Sequence, residues 1–208
     1  MNSKLKEIYF KIFPPWENIL KKELSNCNSV LDIGCGPNSR IQIADVPYSV
    51  GVELFEPYIQ KSKEKGIHNK YINADIRKVD FEPNSFDVVM CIDVLEHLTK
   101  EEGEDLIKRM EKWASKKVII FTPNGHVLQE EYDNNPLQLH KSGWECHELE
   151  ELGFKVYGVA GWKALLGPKG EFKYKPPILW KIVSDITQKI PYHYPTLSFE
   201  VLAFKMIK

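Results

Sequence analysis

Short β-branched runs alternate with segments of helical spacing along most of this chain, and that alternation limits its possible folds more than any other feature. Ser29 to Ile33 (SVLDI), Tyr48 to Glu53 (YSVGVE), Asn69 to Ala74 and Phe86 to Ile92 (FDVVMCI) read as strands, followed by Lys117 to Thr122 (KVIIFT), Phe154 to Val159 and Ser198 to Met206. FDVVMCI suits a central strand buried on both faces. Helices are predicted at Arg40 to Val46, Pro57 to Lys65, Thr99 to about Ala114, and from Ser142 to near Gly153. Gly66 stands where a helix C-cap glycine belongs. Thr99 with Glu102, and Ser142 with Glu145, have capping-box spacing. Met1 to Leu24 reads as one or two amphipathic helices interrupted by Pro14 and Pro15. The pattern predicts an α/β fold, a mostly parallel sheet with helices on both faces.

The chain of 208 residues is expected to form one domain, with residues 1–28 as a helical cap and residues 161–195 as an insertion between the last two strands. The insertion is rich in aromatics, proline and lysine. Within it, Leu179 to Ile190 has helical apolar spacing at Ile182, Val183, Ile186 and Ile190. The net charge of −1 argues against a protein that coats nucleic acid through charge alone. That balance is uneven, because Lys155 to Lys208 holds nine lysines and three acids, a local charge of +6. Cys27, Cys35, Cys91 and Cys146 form no C-x-x-C pair and no zinc-ribbon spacing. They predict a reducing, cytoplasmic setting, with Cys35 and Cys91 acting as small core hydrophobes. No secretion signal and no membrane-spanning run is read in the sequence.

VLDIGCGPNSR, Val30 to Arg40, is the strongest motif. A buried strand ends at Ile33, and Gly34 and Gly36 let the backbone turn sharply and approach a ligand. A dinucleotide fingerprint needs a third glycine, and Ser39 stands in its place. Asp32 adds an acid just before the turn. Glu53 ends the second strand about 20 residues on, the spacing at which an acid accepts from ribose hydroxyls. Asn73-Ala74-Asp75-Ile76 ends the third strand, where Asp75 can accept from an adenine amino group and Ile76 can pack on the ring.

The order DIGCG, GVE, NADI, FDVVMCIDVLEHL resembles the class I S-adenosylmethionine-dependent methyltransferases, especially the group that includes quinone-biosynthesis and other small-molecule methylases. The resemblance runs from about Val30 to Phe121. It implies a seven-stranded, Rossmann-like, mostly parallel sheet whose last strand is antiparallel, and an S-adenosylmethionine cofactor leaving as S-adenosylhomocysteine. It places Asp32, Gly34 and Gly36 on the methionine part, Glu53 on the ribose, Asp75 and Ile76 on the adenine, and Ile92 and Asp93 on the sulfonium side. Cys35 and Leu54 complete the expected cofactor set. The chain departs from the commonest first motif at Pro37-Asn38-Ser39.

Chemistry in an open α/β sheet belongs at the carboxyl end of the fourth strand, here Ile92-Asp93-Val94-Leu95-Glu96-His97-Leu98. A histidine there can take a proton from a hydroxyl during methyl transfer. His97 and His140 are the catalytic candidates. Asp93, Glu96 and His97, with His126 or His140, also resemble the metal set of small-RNA 3′-end 2′-O-methyltransferases, but no resident metal is expected. Neither N/D-P-P-Y nor a cysteine nucleophile follows the fourth strand, which speaks against methylation of DNA bases. Trp162, Phe172, Tyr174, Trp180, Tyr192 and Tyr194, interleaved with lysines, suit a ring, an anionic head group or a bilayer interface. The expected acceptor is an oxygen of a small, lipid-linked or sugar-linked molecule, with peripheral membrane contact. The alternatives are an RNA methyltransferase and a non-catalytic adenosylmethionine-binding protein. The missing third glycine stands against a nicotinamide dehydrogenase.

Overall fold

In the computed structural model, residues 16–131 and 133–208 are described. The first predicted helix and the Pro14-Pro15 break fall outside them. The chain runs through α1 (Glu17–Leu24), β1 (Ser29–Ile33), β2 (Tyr48–Glu53), α2 (Glu56–Glu64), β3 (Lys70–Asn73) and β4 (Phe86–Ile92). It continues through α3 (Lys100–Trp113), β5 (Ala114–Pro123), α4 (Cys146–Glu151), β6 (Lys155–Trp162), α5 (Pro177–Thr187), α6 (Lys189–His193) and β7 (Ser198–Met206). The strands form one sheet in the order β3-β2-β1-β4-β5-β7-β6. β7 pairs antiparallel with both β5 and β6, and the pairs among β1 to β5 are parallel. The expected sheet, with its last strand reversed, is the sheet observed.

Alternation along β4 divides the core into two layers. Val89 and Cys91 face one side with Leu31, Leu106, Met110 and Trp113. Val88 and Met90 face the other with Leu20, Leu24, Val30 and Phe121. Successive side chains of a strand point to opposite faces, so FDVVMCI fills both layers at once. The strand order reverses between β1 and β4, which opens a crevice at their carboxyl ends.

The Thr99 capping box is present, its hydroxyl accepting from Glu102 N and the Glu102 side chain accepting from Thr99 N. The Ser142–Glu145 box is corrected: Glu145 itself is the N-cap of α4, with Glu148 as its partner. Ser142 Oγ instead donates to Leu95 O, and Trp144 is drawn into bridges with Asn124 and Gly125, so the chain stays extended through Gly143. Arg40 to Val46 is shorter than expected, a 3₁₀ turn over Arg40–Ile43. All four cysteines are free and buried. Among the described residues no helix is long and apolar enough to cross a membrane.

Candidate active site

β1 delivers its glycine turn to the switch-point crevice. Gly34 has φ +67°, and a Cβ there would stand 2.4 Å from Val94 Cγ2. Gly36, at φ +55°, faces open space. The turn is held by Glu53, whose Oε2 accepts from Gly36 N at 3.1 Å and whose Oε1 accepts from Phe55 N at 2.8 Å. Burial pushes the Glu53 carboxyl pKa up, and those two N–H groups oppose the rise.

Asp32 is almost fully buried and accepts from the hydroxyl of Ser39, which also caps the 3₁₀ turn through Ile41 N. Behind Asp32 lies His68, its Nε2 3.3 Å from Asp32 Oδ2 and its side chain without exposure. Gly51 makes room for it, because a Cβ there would stand 2.6 Å from His68 Cδ2 and 2.8 Å from Cys35 Sγ. Neither Ser39 nor His68 was singled out as a site residue in the sequence. Ser39 stands where a dinucleotide fingerprint has its third glycine, and it works here as a hydroxyl.

The ten residues expected around the cofactor line one cleft of about 560 Å³: Asp32, Gly34, Cys35, Gly36, Glu53, Leu54, Asp75, Ile76, Ile92 and Asp93. His97 lines it too. Asp75 stands there already engaged, its Oδ2 2.7 Å from Arg77 Nη2, which lowers its pKa through that guanidinium. Arg77 reaches on to Glu102 at 3.0 Å. Arg40, the last residue of the glycine motif, also lines the cleft, as do Asn135, Gln138 and Lys141, which no local sequence pattern marks.

Asp93 takes φ +53°, a conformation that costs a residue with a side chain on the order of 1 kcal/mol or more. Asp93 is exposed to the cleft that it lines, and desolvation there raises its pKa to about 6, against the pull of Arg40. Glu96 is buried and accepts from Thr122 Oγ1 at 3.1 Å; burial and the Asp93 charge raise its pKa well above the usual range. Glu200, at the start of β7, is pushed to about 8 by burial and by Asp93.

His97 and His140 are brought together from 43 positions apart, with ring centroids 4.9 Å from each other. Trp144 sets this meeting. It is buried, its Nε1 donates to Leu95 O at 3.4 Å, and Gly103 leaves the space its ring fills. Lys141 N and Ser142 N then bond Glu96 O, which fixes the loop beside the β4–α3 turn. His97 Nδ1 faces Leu139 O at 3.3 Å and His140 Nδ1 faces Val127 O at 2.6 Å. A donating Nδ1–H leaves each Nε2 as an acceptor. Burial lowers the His97 pKa to about 4 and lowers that of His140 as well. His140 itself is set back from the cleft wall, behind His97. Glu96, His97 and His140 offer ligand atoms within 4.8 Å of one another; Asp93 and the exposed His126 do not join that group.

Residues 31–122 match the family described as a methyltransferase domain. An uncharacterised protein of Methanocaldococcus jannaschii is 28% identical over 182 residues, covering 83% of this chain and 78% of its own length. A sterol 24-C-methyltransferase of Candida albicans is 24% identical over 186 residues; the match covers 84% of this chain and 47% of that longer protein. A SAM-dependent methyltransferase structure from Archaeoglobus fulgidus superposes with a TM-score of 0.55 at 18% identity, covering 97% of this chain and 99% of that one. These likenesses do not single out the quinone-biosynthesis group. Residues 31–122 thus form a methyltransferase domain, and with the reversed seventh strand and the glycine turn between two acids the chain is similar to the class I S-adenosylmethionine-dependent methyltransferases.

Proposed function

We propose that this enzyme methylates an oxygen of a small, lipid-linked or sugar-linked acceptor, with His97 as the base. The observation that carries the reading is the place of His97. It lines the same cleft as the glycine turn, its Nδ1 faces the Leu139 carbonyl, and burial keeps the ring neutral. A base must be unprotonated and within reach of the reacting hydroxyl, and His97 meets the first condition throughout the physiological range.

Bound in the cleft, S-adenosylmethionine supplies an electrophilic methyl on a sulfonium. Glu53 accepts from the ribose hydroxyls with the lone pairs left after Gly36 N and Phe55 N. Asp32, fixed by Ser39, faces the methionine ammonium. Asp93 lies beside the cationic sulfur. Leu54 and Ile76 pack on the adenine, and Asp75, both of whose oxygens accept from Arg77, offers the adenine amino group a remaining lone pair. Positioning of this kind supplies roughly 7–11 kcal/mol of a displacement barrier. His97 Nε2 then takes the acceptor proton, and His140 orients the ring from behind.

A lipid-type acceptor is in keeping with the Candida albicans relative, a sterol methyltransferase, and with the aromatic, lysine-rich insertion at the same end of the sheet. The test is methyl transfer from labelled cofactor into a cell extract separated into lipid, small-molecule, RNA and protein fractions. Label in the lipid or small-molecule fraction, lost in His97→Ala, supports the reading; label in RNA alone overturns it.

A further inference from the structure

α5 turns most of its aliphatic side chains away from its own fold. Its less exposed side sets the half-buried Trp180 and Val183 beside the polar Ser184 and Thr187. Ser184 is its buried residue and fills the space left by Gly161. Thr187 Oγ1 accepts from Trp162 Nε1 at 2.6 Å. Gln188, just beyond the helix, accepts from Gly161 N at 2.7 Å and donates to Gly158 O at 3.1 Å. The side toward solvent is aliphatic: Ile178 is 70% exposed, Ile182 47%, Ile186 59% and, in α6, Ile190 44%. These four recur every fourth residue, with Leu179 at 50% beside them, so they make one continuous stripe. A surface helix ordinarily buries such a stripe against its core. Here hydrogen bonds hold the less exposed side to the sheet and the stripe stays uncovered.

We propose that this stripe is a docking surface for an anionic lipid bilayer. Exposed Lys173, Lys175, Lys181 and Lys189 lie around it, and the chain from Lys155 onward carries +6. Exposed Tyr174 and Tyr194 stand before and after the two helices. An aliphatic face ringed by lysines and tyrosines fits the boundary between acyl chains and anionic head groups. A second copy is a poorer occupant, because face-to-face antiparallel docking sets Lys175 of one chain against Lys189 of the other. β6 runs parallel to β1 and β4, so its carboxyl end, where the insertion leaves at Trp162, lies at the cleft end of the sheet. Docking through α5 thus brings the cleft side toward the bilayer. The inference rests on the lipid-linked reading only for its purpose, since docking is measured with no methyl transfer.

The test is co-sedimentation of the full chain with vesicles of phosphatidylcholine alone and of equimolar phosphatidylcholine and phosphatidylglycerol. The expected result is binding to the anionic vesicles. In Ile182→Asp/Ile186→Asp the half-saturating lipid concentration rises about tenfold or more. In Lys175→Glu/Lys189→Glu it rises at least about fivefold. Both variants keep the parent's unfolding temperature and adenosylmethionine affinity, because the substituted side chains are exposed. Absence of binding, equal binding to both vesicle types, or anionic binding unchanged in the Ile182→Asp/Ile186→Asp variant overturns the proposal. So does a dimer in solution that the same variant dissociates, which assigns the stripe to a second copy.

Discussion

The Glu53 carboxylate holds the Gly36 amide at 3.1 Å across the base of the cleft, and so ties the end of β2 to the turn that follows β1. One acid thereby shapes the glycine loop and still offers lone pairs to a ligand. That double use explains why a buried carboxylate is tolerated at this point.

His97→Ala should lower kcat about 10²–10⁴-fold, with adenosylmethionine affinity unchanged. The acid limb of the kcat profile should lie near pH 4, where His97 takes up its proton, and not near the 6.5 of an exposed imidazole. Steady-state rates across pH check both; a profile breaking near 6.5 contradicts the base assignment.

Asp93 is charged only above about pH 6. Adenosylmethionine should therefore bind more tightly as pH rises from about 5 to about 7, by roughly tenfold, the size expected of one nearby opposite charge. Adenosylhomocysteine lacks the sulfonium and should show a weaker dependence. Asp93→Asn should flatten the first curve. Isothermal titration at three pH values measures this, and parallel curves for the two ligands count against Asp93.

Gly34→Ala combines a left-handed backbone with a Cβ 2.4 Å from Val94 Cγ2. It should destabilise the protein by about 1–3 kcal/mol. At about 2–4 °C per kcal/mol the unfolding temperature falls measurably. Adding Val94→Ala relieves the contact and not the backbone strain, so calorimetry should show partial recovery.

Glu96, His97 and His140 have the side chains a divalent ion takes, and their Nδ1 contacts leave both imidazole Nε2 atoms able to ligate, but burial favours the protonated form of Glu96, which bonds Thr122. Turnover should survive dialysis against a chelator. Loss of activity restored by a divalent ion would place a metal here and displace His97 as the base.

Much of the fold was legible because its signals are local. β2, β4 and β7 fall where the β-branched runs predict, and the Thr99 box forms because its two partners lie three residues apart. The Ser142 box failed because tertiary bonds claimed its hydroxyl and drew Trp144 away. The glycine turn and its acids were readable from spacing alone, whereas Asn135, Gln138 and Lys141 reach the cleft from elements whose meeting no local pattern encodes. Periodicity also marks Ile182, Ile186 and Ile190 of the exposed stripe, together with the half-buried Val183, but period says nothing about which side faces the sheet. Asp75 shows a further limit, since its engagement with Arg77 depends on a rotamer and not on a motif.

The most direct test is calorimetric titration with adenosylmethionine, adenosylhomocysteine and NAD, in the parent chain and in Glu53→Ala. Micromolar binding of the first two, no binding of NAD, and a loss of roughly tenfold or more in Glu53→Ala is the predicted result. Binding of NAD alone, or adenosylmethionine affinity indifferent to Glu53, contradicts it.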